Sequence, residues 1–225
     1  MFRPEGRETA TTMSQPVTVH RAPRANVCMS DVAVAQGLAI VAYVDHSGTA
    51  AHDAIDGVPI VSFESWQRDL RGVPSVVSTL DPATRRAMVD RIVAEGGSFI
   101  TLGRLGGPIA PSVTFGDGSL VVGAGALSVN SSTHFGRQVI LMTPASVGHD
   151  CTIGDFVTIF PSAVISGYVE IEDDVVIDVG CVIINGRSDR PLRVGRGARI
   201  RAGAVVTKSV PRGASITGNP GRVAT

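Results

Sequence analysis

Aromatic residues are scarce in this chain: seven Phe, two Tyr and one Trp among 225 residues. Large rings therefore cannot fill its core, and the wealth of Val, Ile, Ala and Gly favours narrow, repetitive packing. Net charge is also missing, because 20 Lys and Arg balance 20 Asp and Glu. That balance gives no support to a nucleic-acid partner or an anionic membrane surface. Cysteine is limited to Cys28, Cys151 and Cys181, an odd number without CxxC spacing, which argues against a disulfide framework. No apolar run approaches the roughly 20 residues that span a bilayer, and residues 1–12 hold no apolar stretch of the kind found in secretory leaders. These absences imply a cytoplasmic protein in which residues 1–13 form a disordered leader.

What the sequence does contain is a repeat. Stepping in sixes from Phe135 meets Leu141, Val147, Ile153, Ile159, Ile165, Ile171, Ile177 and Ile183. Four residues after each member but the last comes a small one: Val139, Ala145, Cys151, Val157, Ala163, Val169, Val175 and Cys181. Glycine often follows the large residue, as in Val147-Gly148 and Ile153-Gly154, where a tight bend is expected. Each hexad then supplies a short strand and a turn. Three hexads close a triangular coil, and coils stack at about 4.8 Å, the ordinary interstrand spacing. Such coils bury little apolar surface alone and depend on their neighbours. Upstream the frame is visible at Ile109, Phe115, Val121 and Leu127, with a two-residue slip between Leu127 and Phe135. Downstream it resumes at Val194, Ile200 and Val206, which implies five inserted residues within 186–193. Val210-Pro211 and Gly218-Asn219-Pro220-Gly221 are expected to stop the helix.

Before Arg104 the sixfold frame is absent. Residues 26–37 suggest a helix, Ala39–Val44 a buried strand, Val76–Leu80 another strand, and Pro82–Gly96 a second helix with Ala83, Ala87, Met88 and Ile92 at helical spacing. Strands alternating with helices indicate a small parallel α/β domain at 14–104, ahead of a repeat domain at 105–225.

The stretch Ser146-Val147-Gly148-His149-Asp150-Cys151-Thr152-Ile153-Gly154-Asp155-Phe156-Val157 resembles the sialic acid and bacillosamine-type sugar acetyltransferases. The likeness continues through Ile165-Ser166-Gly167, Gly203-Ala204-Val205-Val206-Thr207-Lys208 and Gly218-Asn219-Pro220. Asp81-Pro82-Ala83-Thr84-Arg85-Arg86 also fits. The resemblance implies a Rossmann-like domain for a nucleotide sugar, followed by a left-handed parallel β-helix assembled as a homotrimer that uses acetyl-CoA. One departure concerns the loop after the first strand, glycine-rich in the family. Here the segment is His20-Arg21-Ala22-Pro23-Arg24-Ala25-Asn26, without the glycines that let a backbone approach phosphate. Arg21 and Arg24 are alternative phosphate partners there. The five-residue insertion is a second departure.

Acyl transfer from a thioester needs a base and a donor for the oxyanion. His149 falls two residues after the inward Val147, on the coil surface, and Asp150 can hold its far nitrogen. Gly167 lies eighteen residues on, one coil above, where the lack of a side chain leaves room for a thioester and an N–H faces its carbonyl. The resemblance assigns the same roles, and adds backbone contacts from Val179 and Ala202 to the pantetheine arm. His134 is a competing candidate for substrate binding, although it lies in the slipped stretch. Only His134 and His149 occur in the repeat, too few for a three-histidine zinc site, so no metal is expected. From Asn185 onward nine Lys or Arg face one acid, Asp189. Among them Arg190, Arg193, Arg199, Arg201 and Lys208 are candidates for the CoA phosphates, a solvated exterior being the other explanation. Cys151 and Cys181 read as core. Three functions compete: acetylation of a nucleotide-linked sugar, the same chemistry on a free sugar acid or natural-product intermediate, and a non-catalytic β-helix scaffold.

Overall fold

The computed structural model describes residues 14–21, 36–48, 53–102, 108–123 and 125–224. The front part is a five-stranded sheet built from β1 (Gln15–Arg21), β2 (Leu38–Asp45), β3 (Ala54–Ile55), β4 (Val58–Ser62) and β5 (Ser75–Val77), in the order β3-β4-β2-β1-β5. All its pairings are parallel except β3 with β4. Helix α1 (Phe63–Asp69) begins where Ser62 accepts the Ser65 N–H, and α2 (Pro82–Ala94) where Asp81 accepts the Thr84 N–H and Pro82 presets the first turn. The expected strand at 39–44, the start of the strand at 76–80 and the helix beginning at Pro82 are all present. The leader at 1–13 and most of the helix expected at 26–37 lie outside the described residues, as do Arg24 and Cys28.

From Thr114 onward the chain is a parallel β-helix. Its first face stacks strands at Leu120–Val122, Ile140–Met142, Thr158–Ile159, Val176–Ile177, Arg199–Ile200 and Ser215–Thr217. The second stacks Leu127–Val129, Ala145–Val147, Val164–Ile165, Val182–Ile183 and Val205–Val206. The third stacks Thr114–Phe115, His134–Phe135, Thr152–Ile153, Val169–Ile171 and Leu192–Val194. Ile159 pairs with Ile177, and Val147 with Ile165, each eighteen residues on. Both aliphatic series are buried in one continuous core, with Phe115 and Phe135 stacked 4.6 Å apart near its start.

Three expectations need correction. The two-residue slip comes before Leu127, because Val129, and not Leu127, pairs with Val147; Phe135 and His134 are therefore in regular register. The helix does not stop at Val210-Pro211: Val210 bridges to Val194 and Ile216 pairs with Ile200, so one more coil forms. Only after Thr217 does the chain turn back, as Arg222–Val223 runs antiparallel to Ser215–Thr217. Finally, the glycines after the large residues serve close stacking rather than bending. A Cβ on Gly148 would sit 2.5 Å from the Gly167 nitrogen, and one on Gly154 2.5 Å from an Asp173 carboxylate oxygen. The left-handed bend comes two residues later, at Asp150, Phe156, Ser162, Tyr168 and Asp174.

The front sheet packs on the first face: Val17, Val19, Tyr43 and Val76 meet Leu120, Val122 and Ile140. Phe156 projects from the corner between the third and first faces into the helix side of the sheet, among Val44, Phe63, Trp66, Met88 and Ile92. Beside it lies the fully buried Arg85 of α2. Its guanidinium donates to the carbonyl oxygens of Thr79 (2.8 Å), Gln138 (3.0 Å) and Phe156 (2.6 Å) and to the Thr158 hydroxyl (3.0 Å).

A directional hydrogen-bond chain crosses the front core. Arg91 can only donate, so His46 accepts at Nδ1 (3.4 Å) and donates from Nε2 to His20 Nδ1 (2.8 Å); His20 Nε2 then donates to Ser75 Oγ (3.0 Å). Burial, then Arg91, hold His46 down at about 4, and burial with His46 and Arg91 holds His20 well below the usual range. Both rings are neutral when folded, so the unfolded chain binds more protons between about pH 4 and its own value near 6.5. Stability from this pair is complete above that range and is lost as pH falls through it. Thermal melts should show Tm declining from about pH 7 to pH 5, and a flat profile would contradict the neutral pair.

Candidate functional site

The corner between the second and third faces gathers the predicted chemistry. His149 follows the inward Val147, and Asp150 adopts the left-handed conformation, φ 53°. In that setting His149 Nδ1 and Asp150 Oδ2 lie 2.7 Å apart. A carboxylate can only accept, so Nδ1 carries a proton, and in the neutral ring the lone pair is on Nε2. The imidazole is half-exposed, and the Tyr168 ring meets it at right angles, 4.9 Å between centroids. Gly167 sits directly over the imidazole: a Cβ there would come within 2.8 Å of both Cε1 and Nε2. His149, Asp150 and Gly167 are thus together.

One feature differs from the sequence expectation. The Gly167 N–H already donates to Asn185 Oδ1 at 2.8 Å, so in this conformation it does not face an incoming carbonyl. Asn185 and Tyr168 went unnoticed in the sequence. Asn185 stands eighteen residues beyond Gly167, so the same arithmetic that paired His149 with Gly167 would have found it.

Val179 and Ala202 stack one coil apart at a different corner, between the first and second faces; both are exposed, and the Val179 carbonyl accepts the Gly203 N–H. Within one chain the second face separates them from His149. Val164 is exposed on that face, and Val179 and Ile184 are exposed at its two edges.

The five extra residues leave the His149 corner as a small hairpin in which Arg187 and Arg190 bond to each other through their backbones. Between hairpin and helix is a cavity of about 490 Å³ lined by Asn185, Arg187, Arg190, Thr207 and Lys208, among others. Of the cations proposed for phosphate, Arg193 pairs with Glu170 (2.8 Å), Arg199 with Asp81 (3.5 Å), and Arg201 donates to Ser215 Oγ. Arg190 and Lys208 make no ion pair among the described residues and both reach this cavity. His134 Nδ1 lies 2.8 Å from Thr114 Oγ1 on the third face. Cys151 and Cys181 are buried, and burial pushes both thiols up, as befits core residues. Among the described residues no group of three His, Cys, Asp or Glu is placed to hold a metal, and no helix is long and apolar enough to cross a membrane.

No family model matches the chain. It is 38% identical over 146 residues to the GDP-perosamine N-acetyltransferase of Escherichia coli O157:H7, a match covering 65% of each chain. The chain therefore spans about two thirds of the length of that curated relative. WeeI from Acinetobacter baumannii AYE superposes with a TM-score of 0.80 at 26% identity, over 92% of this chain and 100% of that one. PerB from Caulobacter crescentus, solved with CoA and GDP-perosamine, shares the fold at TM-score 0.80 and 24% identity, over 93% and 97% of the two chains. In sequence the chain is similar to a curated N-acetyltransferase of GDP-perosamine, and in fold it is similar to WeeI and PerB.

Proposed function

We propose that the protein transfers the acetyl group of acetyl-CoA to the amine of a nucleotide-linked amino sugar, with His149 as general base. The observation that carries this is the His149–Asp150 pair seated against Gly167. It places Nε2, the free nitrogen of the neutral ring, at a surface corner beside a residue with no side chain to fill the space. The amine nitrogen attacks the thioester carbon while its proton passes to Nε2 and the carbonyl electrons move to oxygen. Collapse reforms the carbonyl and expels the CoA thiolate, which takes the proton from His149. Asp150 fixes the tautomer and faces the imidazolium that forms between the two steps. Arg190 and Lys208 are the cations we assign to CoA phosphates, and Val179 and Ala202 the backbone contacts to its pantetheine arm. The names of the relatives, an N-acetyltransferase of GDP-perosamine among them, support both donor and acceptor class.

Residues 14–104 we take as the acceptor-binding unit and 105–225 as a left-handed β-helix carrying the donor site. In the front sheet the strand order reverses at β1, which lies between β2 and β5, and ligands of parallel sheets gather at the carboxyl ends of strands beside such a reversal. That sheet covers the first face, whereas His149 lies at the corner opposite. A sugar held by the front sheet therefore meets the His149 of a neighbouring copy. A homotrimer packed through the second face would also bring the Val179 corner of one copy to the His149 corner of the next.

The test is thiol release from acetyl-CoA by the purified protein, with amino sugars offered free and as nucleoside diphosphate conjugates, and the mass in solution measured by light scattering on the same sample. Turnover with a conjugated amino sugar by a trimer is the expected result. Turnover only with free sugar acids would move the acceptor class, consistent with the glycine-free segment after β1. No release with any acceptor would leave the scaffold reading.

A further inference from the structure

The Gly167 N–H is occupied, which leaves the oxyanion without its expected donor. We propose that the side-chain amide of Asn185 supplies it, so that Asn185 is a catalytic residue of the transfer proposed above, on which this inference rests.

Three observations converge. His149, Gly167 and Asn185 succeed one another at eighteen-residue steps up a single corner, so imidazole and carboxamide touch the same buried glycine from its two sides. The reacting acyl group belongs beside that glycine, between base and amide. Next, the carboxamide is oriented. Its oxygen accepts the Gly167 N–H at 2.8 Å, which turns Nδ2 away from the glycine, and among the described residues no acceptor takes the Nδ2 protons. Asn185 itself lines the cavity at this corner. Third, its backbone is locked. The Gly186 N–H donates to the Gly167 carbonyl at 3.0 Å, and a Cβ on Gly186 would strike the Tyr168 carbonyl oxygen. Asn185 therefore cannot drift relative to Gly167.

A donor fixed before the reaction begins is what stabilises a developing oxyanion, because nothing has to reorganise as charge forms. The bond from Gly167 into Oδ1 also polarises the amide and makes its N–H a stronger donor. In the attack step the carbonyl electron pair moves to oxygen, and that oxygen accepts from Nδ2. On collapse the pair returns, the C–S bond breaks, and the amide is unchanged.

Asn185→Ala and Asn185→Asp separate this role from its rivals. Alanine removes the amide and frees the Gly167 N–H. Aspartate keeps an acceptor for that N–H but puts a carboxylate where the donor stood. Both should lower kcat by about 100- to 1,000-fold. Affinity for CoA, which has no acyl oxygen, should stay unchanged by calorimetry, and so should Tm. If Asn185→Ala turns over as fast as the parent or faster, Asn185 only plugs the Gly167 N–H, and the proposal falls. If kcat, CoA affinity and Tm decline together, the residue is merely structural and the proposal falls equally. A parent protein without transferase activity would instead overturn the function proposed above.

Discussion

His149→Ala is expected to lower kcat/KM by about 100- to 10,000-fold, the usual cost of losing a general base. The fold and the binding of CoA should be kept. The imidazole is half-exposed and fills no part of the inward core, so its removal opens no buried cavity. Asp150→Asn should cost less, because an amide can still hold Nδ1 but carries no charge to face the imidazolium. Gly167→Ala should imitate His149→Ala in rate, since its Cβ would come within 2.8 Å of the ring and displace it. Single-turnover rates beside CoA affinity by calorimetry decide the matter. Near-parental turnover in His149→Ala would remove the histidine from the mechanism.

The largest loss of stability is expected from Arg85→Met. Arg85 is fully buried, and burial pushes its guanidinium down to about 10, leaving it charged at neutral pH. Among the described residues no carboxylate pairs with it. Its charge is spread over the carbonyls of Thr79, Gln138 and Phe156 and the Thr158 hydroxyl. Methionine matches its bulk but strands those oxygens in the interior. Breaking such a buried charged network costs about 3–5 kcal/mol, which for a chain of this size lowers Tm by on the order of 10 °C. Arg85→Lys should fare little better, because one ammonium cannot reach acceptors on both parts of the chain. A denaturation midpoint unchanged in Arg85→Met would show that the network contributes nothing net.

The repeat was legible because its signal is strictly local: Ile153, Ile159 and Ile165 recur in a short, fixed frame, and stacking follows from it. The same frame brought His149 under Gly167 before any coordinates. It did not reach Asn185 because the large inward residues break off at Ile183, although Asn185 and Gly186 still bond to Gly167 one coil back. The slip near Leu127 was misplaced for a related reason. Leu127 is as apolar as Val129, and only the pairing of Val129 with Val147 tells which one faces in line. In the front part, Ala39–Val44 was plain as an apolar run, whereas β1 carries buried Thr18 and His20 and does not look like a core strand. Arg85 was wholly hidden. On a helix read for Ala83, Met88 and Ile92 an arginine passes for surface, and its partners in the β-helix lie more than fifty residues away. Sequence periodicity reports what a segment does with its neighbours, not what reaches it from elsewhere.

Phe156 and Arg85 bear on how such a chain can be recombined. Each belongs by sequence to one part and does its work in the other: the ring completes the core beneath α1 and α2, and the guanidinium closes off carbonyls of the β-helix. A front part grafted onto a foreign β-helix would carry a ring-shaped vacancy and a buried cation that had lost its partners across the border. Exchange of modules among related proteins is thus restricted to partners that keep both residues, and the border between the two parts is a poor place to cut.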